Sequence, residues 1–157
     1  MATTAPAQLQ RIVDLFAGAP KELRLQALLE YSRKVPPLPP ALAAHRHLLE
    51  PVPECQTPFF LASEVGEDGR VALHFDVPAE APTTRGFAGI LASGLDGATA
   101  EEVLATPNDF YAAMGLGEVI SSLRLRGMAA ILARLKRQVR EKMETGARAA
   151  TPAATTD

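Results

Sequence analysis

The 157-residue sequence has one cysteine, no tryptophan and 5% aromatic residues. A single thiol excludes an intrachain disulfide, a C-x-x-C redox pair and any metal site built on several cysteines. The formal charge of -2, with a pI near 5.9, does not favour nucleic acid as a main partner. No stretch approaches the roughly 20 apolar residues needed to span a bilayer. The opening segment MATTAPAQLQRIVDLF lacks a basic region followed by an apolar run, so no secretory signal is expected. Thiol usage and the missing signal together point to the cytoplasm. Also missing are G-x-x-x-x-G-K-[ST], G-x-G-x-x-G after a strand, H-E-x-x-H and G-x-S-x-G. Phosphate-loop, dinucleotide, zinc-protease and serine-hydrolase chemistries therefore have no motif to rest on.

What is there reads as one domain. Hydrophobic residues make up 47% of the chain, enough to build a core without staples. Leu9, Ile12, Val13 and Phe16 fall at helical spacing, and Gly18 ends that run. Leu25, Leu28 and Leu29 give a second apolar stripe. Pro36, Pro37, Pro39 and Pro40 stop it and make a stiff connector. After Cys55 the period changes to two. Phe59, Leu61, Ser63 and Val65 alternate with Phe60, Ala62 and Glu64, GEDG supplies a turn, and Val71, Leu73, Phe75 and Val77 resume. This predicts an antiparallel hairpin of 58–65 with 70–77. Helices are expected again from Thr84, from a Thr99–Glu102 capping box, after Asn108 or Asp109, and from Ser121 or Ser122. The last carries the stripe Met128, Ile131, Leu132, Leu135, Val139 and Met143. The expectation is an α+β fold, a small antiparallel sheet packed by helices, in a single domain over 1–144. From Thr145 the chain is small and polar without period, so 145–157 is expected to be a disordered tail.

Few residues can carry chemistry. His45 and His47 with Cys55 form a conceivable zinc set, but the spacing matches no standard motif and the expectation is no metal. His74 falls on the polar face of its strand and reads as solvated. Seven basic residues (Arg124, Arg126, Arg134, Lys136, Arg137, Arg140 and Lys142) crowd residues 124–142. Most read as a solvated face opposite the apolar stripe. Arg124 differs, because it lies in the turn that opens the helix. Cys55 is flanked by Pro53-Glu54 and Gln56-Thr57-Pro58, which is loop chemistry, and both an inert and a reactive role stay open.

Several segments resemble one family in order. VPPLPPAL followed by VPECQTPFFLASE is similar to the L-P-P-L-P and V-x-G-C-Q-S-x-V-W pattern of the SufE family of sulfur acceptors. VALHFDVPAEAPTTRGFAGIL, LDGATAEEVL and FYAAMGLGEVISSLRLRGMAAILARLK resemble that family's later motifs. The likeness covers about residues 8–140. It implies a SufE/IscU-like fold and a sulfur-acceptor protein that activates a SufS-type cysteine desulfurase. Cys55 would carry sulfane sulfur as a persulfide to an iron–sulfur scaffold complex. Pyridoxal phosphate would belong to the desulfurase, with no cofactor on this chain and no independent turnover. The resemblance further assigns Arg124 to support of the thiolate or its loop, and Gln56 to a hydrogen bond in that loop. No nucleic acid or membrane partner is implied, and homodimerisation stays open. The alternative is a stand-alone single-cysteine thiol enzyme, either a peroxide reductase or a hydrolase. Departures stand at Glu54, where the pattern has glycine, at Pro78 and Glu80 in the acidic stretch, and at Leu123. Glu54 is expected to raise the thiol pKa.

Overall fold

The computed structural model describes residues 5–150 of the chain, with side chains described to residue 145. Helices α1 (Ala7–Gly18), α2 (Lys21–Ser32) and α3 (Pro40–Ala44) come first. A three-stranded sheet follows, β1 (Glu50–Pro51), β2 (Phe60–Val65) and β3 (Val71–Asp76), then α4 (Pro82–Leu95), α5 (Ala100–Ala105) and α6 (Ser122–Ala150). The fold is α+β, as the sequence predicts. The sheet order is β1-β2-β3, antiparallel throughout.

The period-two alternation sets the register of the main hairpin. Ser63 stands opposite Leu73 and Leu61 opposite Phe75, which turns Leu61, Ser63, Val71, Leu73 and Phe75 to one buried face. A slip by one residue would send that apolar set to solvent, so the register is strongly specified. Gly69, at φ 80°, supplies the left-handed residue that closes the GEDG turn. Helix α6 covers the sheet, packing along β2 with Met128, Ile131, Leu132, Leu135 and Val139 fully buried. Each such side chain contributes roughly 1.5–3 kcal/mol by leaving water.

On the helical side α4 is the central element. Ten of its residues are buried, from Thr84 to Leu95, on all sides of the helix. Such burial suits a helix enclosed by others. α1 and α2 both pack against it. A Cβ at Gly89 would lie 1.8 Å from the Tyr31 backbone oxygen, so only glycine lets α2 come this close.

Several expectations need correction. In α2 only Leu28 is buried, and Leu25 is 40% exposed, so the second stripe is narrower than its leucines suggest. The segment after Asp109 forms two 3₁₀ turns, Phe110–Met114 and Leu116–Glu118, rather than an α-helix. Gly115 at φ 73° separates them, and Asp109 makes no cap. The short strand β1, one of whose two residues is Pro51, follows a 3₁₀ turn at Arg46–Leu48 and is a strand that the sequence pattern does not announce. Helix α6 continues to Ala150, with Thr145 Oγ1 bonded to the Glu141 carbonyl at 2.9 Å, so residues 145–150 are helical rather than tail. Residues 151–157 of the expected tail lie outside the described residues. The Thr99–Glu102 capping box forms as read, and Ser121 Oγ accepts from the Arg124 amide at the start of α6. Among the described residues no helix is long and apolar enough to cross a membrane.

Candidate functional site

Cys55 lies at the tip of the connection between β1 and β2. Buried Val52 and Phe59 close the base of this loop, the Val52 amide donating to the Phe59 carbonyl at 2.9 Å. Phe59 is further fixed edge-on against Phe75, with ring centroids 5.9 Å apart. Inside the loop the Cys55 amide donates to the Val52 carbonyl at 3.1 Å. The two apolar anchors are therefore core residues, while the segment between them is set at the surface by proline and polar residues. That is how a rigid scaffold presents a thiol.

The Cys55 side chain is half-buried and faces the first turns of α6, where Sγ lies 3.9 Å from the Gly127 carbonyl oxygen. A Cβ at Gly127 would sit 3.4 Å from Sγ and 3.7 Å from the Glu54 carbonyl, ordinary contact distances, so the loop packs closely on this turn of α6. Cys55 lines two cavities. One, of about 320 Å³, is bounded by the loop, the start of α4 (including Thr84 and Phe87) and the start of α6 with Leu123, Arg124 and Gly127. The other, of about 240 Å³, is a shallow open depression lined by residues of the β1–β2 connection itself.

Burial pushes the Cys55 thiol up to about 11, the Glu54 carboxylate adds to the rise, and Arg134 opposes it. At neutral pH the resting thiol is therefore protonated and a poor nucleophile in this position. Glu54 acts on the thiol as its sequence position suggests, yet it needs no unusual backbone. Among the described residues only glycines have positive φ.

The expected site residues fare differently. Arg124 is exposed and lines the larger cavity with Cys55, and its guanidinium makes no ion pair or hydrogen bond among the described residues. Gln56 lines both cavities, but its side chain is exposed and makes no hydrogen bond among the described residues, in contrast to the bond expected of it. His45 and His47 lie edge to face 5.8 Å apart. No group of three or more metal-ligating side chains comes together among the described residues. His74 is not solvated but 19% exposed, with Nε2 3.9 Å from Glu64.

The residue that sequence reading misses is Arg134. Together with Arg137 it was expected on a solvated face. Instead Arg134 donates from Nε and Nη2 to the Glu54 carboxylate at 3.0–3.2 Å, and from Nη1 to Glu50 at 2.9 Å. Glu50 also accepts from Arg137 and from Gln138 Nε2. Burial pushes the Glu50 carboxyl up, but the bonds from Gln138, Arg137 and Arg134 outweigh it and hold the group below the usual range. Lys136 donates to the Thr106 carbonyl at the end of α5, and Lys142 to the Ser63 carbonyl at 3.1 Å. Four of the seven basic residues of 124–142 thus bind the protein itself. A signal for this existed in Glu50 and Glu54, two acids flanking the turn that precedes the hairpin.

Comparison with known proteins identifies the family and matches the fold. The SufE family, described as the Fe-S metabolism associated domain, matches residues 10–139. Uncharacterized SufE-like proteins from two strains of Mycobacterium tuberculosis are each 53% identical over 136 residues, covering 87% of this chain and 94% of theirs. A solution structure of a hypothetical protein from Thermus thermophilus superposes with a TM-score of 0.80 at 49% identity, covering 89% of this chain and 98% of that one. The chain belongs to the SufE family, whose domain is associated with iron–sulfur metabolism.

Proposed function

We propose that this protein accepts sulfane sulfur on Cys55 from the persulfide of a SufS-type, pyridoxal-phosphate-dependent cysteine desulfurase. It stimulates that enzyme by removing its product, and passes the sulfur to a scaffold complex where iron–sulfur clusters are built. The observation that carries this reading is the placement of the only thiol. It stands at a loop tip between two cavities, with no second thiol in the chain and no imidazole lining either cavity.

The chemistry needs nothing more. The Cys55 thiolate attacks the terminal sulfur of the partner's persulfide; a new S–S bond forms, the old one breaks, and the partner's thiolate leaves with its electron pair. No net oxidation occurs. The persulfide lengthens the side chain by about 2 Å, which the larger cavity accommodates. The high thiol pKa of the inward loop implies that the attacking thiolate forms when docking moves Cys55 out of its half-buried position. Arg124, unpaired on the same rim, is placed to receive the negative charge of the incoming persulfide.

A stand-alone thiol hydrolase would want a general base beside Cys55, and no histidine stands there. The test is alanine release by a cysteine desulfurase with and without this protein. Stimulation by wild type and none by Cys55→Ser is expected. Equal stimulation by both would remove Cys55 as acceptor.

A further inference from the structure

The loop that carries Cys55 has little of its own to hold it inward. Apart from the Val52–Phe59 bond that closes its base, the loop's one backbone hydrogen bond among the described residues is the internal Cys55–Val52 turn. The Sγ contact with Gly127 is long, at 3.9 Å, and Thr57 Oγ1 is buried without a hydrogen-bond partner. An orphaned buried hydroxyl opposes the inward position. Against this stands one strong link from the loop to the body of the protein. Glu54 places both carboxylate oxygens on the Arg134 guanidinium, with two contacts of 3.0 Å and one of 3.2 Å. Arg134 is itself steadied by Glu50, so its fork is oriented before the loop arrives. Preorganised, multiply bonded arginine–carboxylate pairs are the strong end of the ion-pair range.

We propose that Glu54 and Arg134 form a latch that holds the Cys55 loop against α6, and that opening this ion pair is the step that exposes the thiol. The latch deepens the proposed sulfur-acceptor function and rests on it. Glu54 and Arg134 are positioning residues: neither touches the sulfur being transferred. The pair is only partly buried, with side chains 49% and 28% exposed. Salt therefore screens it, and a charged group of a docking partner can compete for either half. Glycine, which the family pattern has at position 54, has no side chain for such a latch.

The latch can be tested on the isolated protein, without a desulfurase, by the rate of Cys55 alkylation with iodoacetamide at pH 8. The signs separate a latch from a mere charge effect. Arg134 favours the thiolate, so if it acts only as a charge, Arg134→Met slows alkylation. If it holds the loop, the same substitution speeds alkylation about fivefold, because burial is the largest contribution to the high thiol pKa. Glu54→Gln should also speed it, and the double variant should be no faster than the faster single one, since both break the same pair. Glu118→Gln, the same charge change at the Arg24 pair, should leave the rate alone. Raising NaCl from low to high should accelerate wild type and not Arg134→Met. Hydrogen–deuterium exchange should rise in the peptide spanning 52–59 of both single variants while other segments keep their protection. Slower alkylation in Arg134→Met, or unchanged exchange across 52–59, would overturn the latch. Sulfur loading of Cys55, measured separately with a desulfurase, reports on the acceptor function whichever way these rates fall.

Discussion

Cys55 Sγ meets the Gly127 carbonyl oxygen at 3.9 Å, across 72 residues of sequence, in the first turns of α6. This contact joins the thiol loop to the longest helix. A Cβ at position 127 would already touch Sγ at 3.4 Å, so a methyl is the most this turn holds without moving the loop. Gly127→Val should force the loop outward: its branched carbons would enter space already filled by Sγ and the Glu54 carbonyl. The expected result is faster alkylation of Cys55 with a lowered melting temperature, overpacking costing about 1–3 kcal/mol. Wild-type alkylation in that variant would mean that the loop does not rest on α6.

The pH dependence of thiol reactivity follows from the same packing. With a folded pKa of about 11, against 9.0 for the unperturbed thiol, only a small fraction is thiolate at pH 7. Alkylation of the folded protein should climb about tenfold per pH unit from pH 7 to 10. The urea-unfolded chain should instead reach half its maximal rate near pH 9 and level off above it. A folded-state plateau at or below pH 9 would contradict the burial of the thiol.

Glu50 and Glu54 both have carboxyls held below their ordinary 4.5. For such groups the unfolded state takes up protons first as pH falls. Their contribution is therefore present above about 4.5 and is lost as pH drops through the folded values. Thermal stability should fall on acidification below pH 4.5, and Glu50→Gln should flatten part of that fall. At pH 7 the same substitution should cost about 1–2 kcal/mol, because Arg134 and Arg137 lose a shared charged acceptor. An acid profile unchanged in Glu50→Gln would remove the network from the stability of the fold.

Arg124 shares the larger cavity with Cys55, but the charges that act on the thiol are those of Glu54 and Arg134. Arg124→Ala should therefore leave the alkylation profile unaltered. It should still slow sulfur loading from a desulfurase, by about tenfold if the guanidinium receives the incoming charge. Loading at the wild-type rate would leave Arg124 a surface residue of α6.

The parts of this molecule that were legible in the sequence are those governed by local rules. Alternation around GEDG fixes the β2–β3 hairpin and its buried face, Thr99 and Glu102 close a box three residues apart, and the α6 stripe repeats at helical spacing. Cys55 was placed in a loop by its proline and polar neighbours. What escaped depends on distant partners. Arg134 looks like any exposed arginine opposite an apolar stripe, and its partners lie 80 and 84 residues earlier in the chain. Strand β1 has two residues, one of them proline, and exists because Glu50 and Pro51 find Leu61 and Phe60 across the ladder. The 3₁₀ turns after Asp109 keep a helical composition, but left-handed Gly115 interrupts them. Propensity reads neighbours, and these features answer to tertiary contacts.

The most direct measurement is the intact mass of the protein after incubation with a cysteine desulfurase, pyridoxal phosphate and free cysteine. Wild type should gain the mass of one sulfur atom, removable by a thiol reductant, and Cys55→Ser should gain none while keeping its fold and melting temperature. Sulfur on the Cys55→Ser protein, or none on wild type when the same mixture loads another SufE-family protein, would contradict a persulfide carried on Cys55.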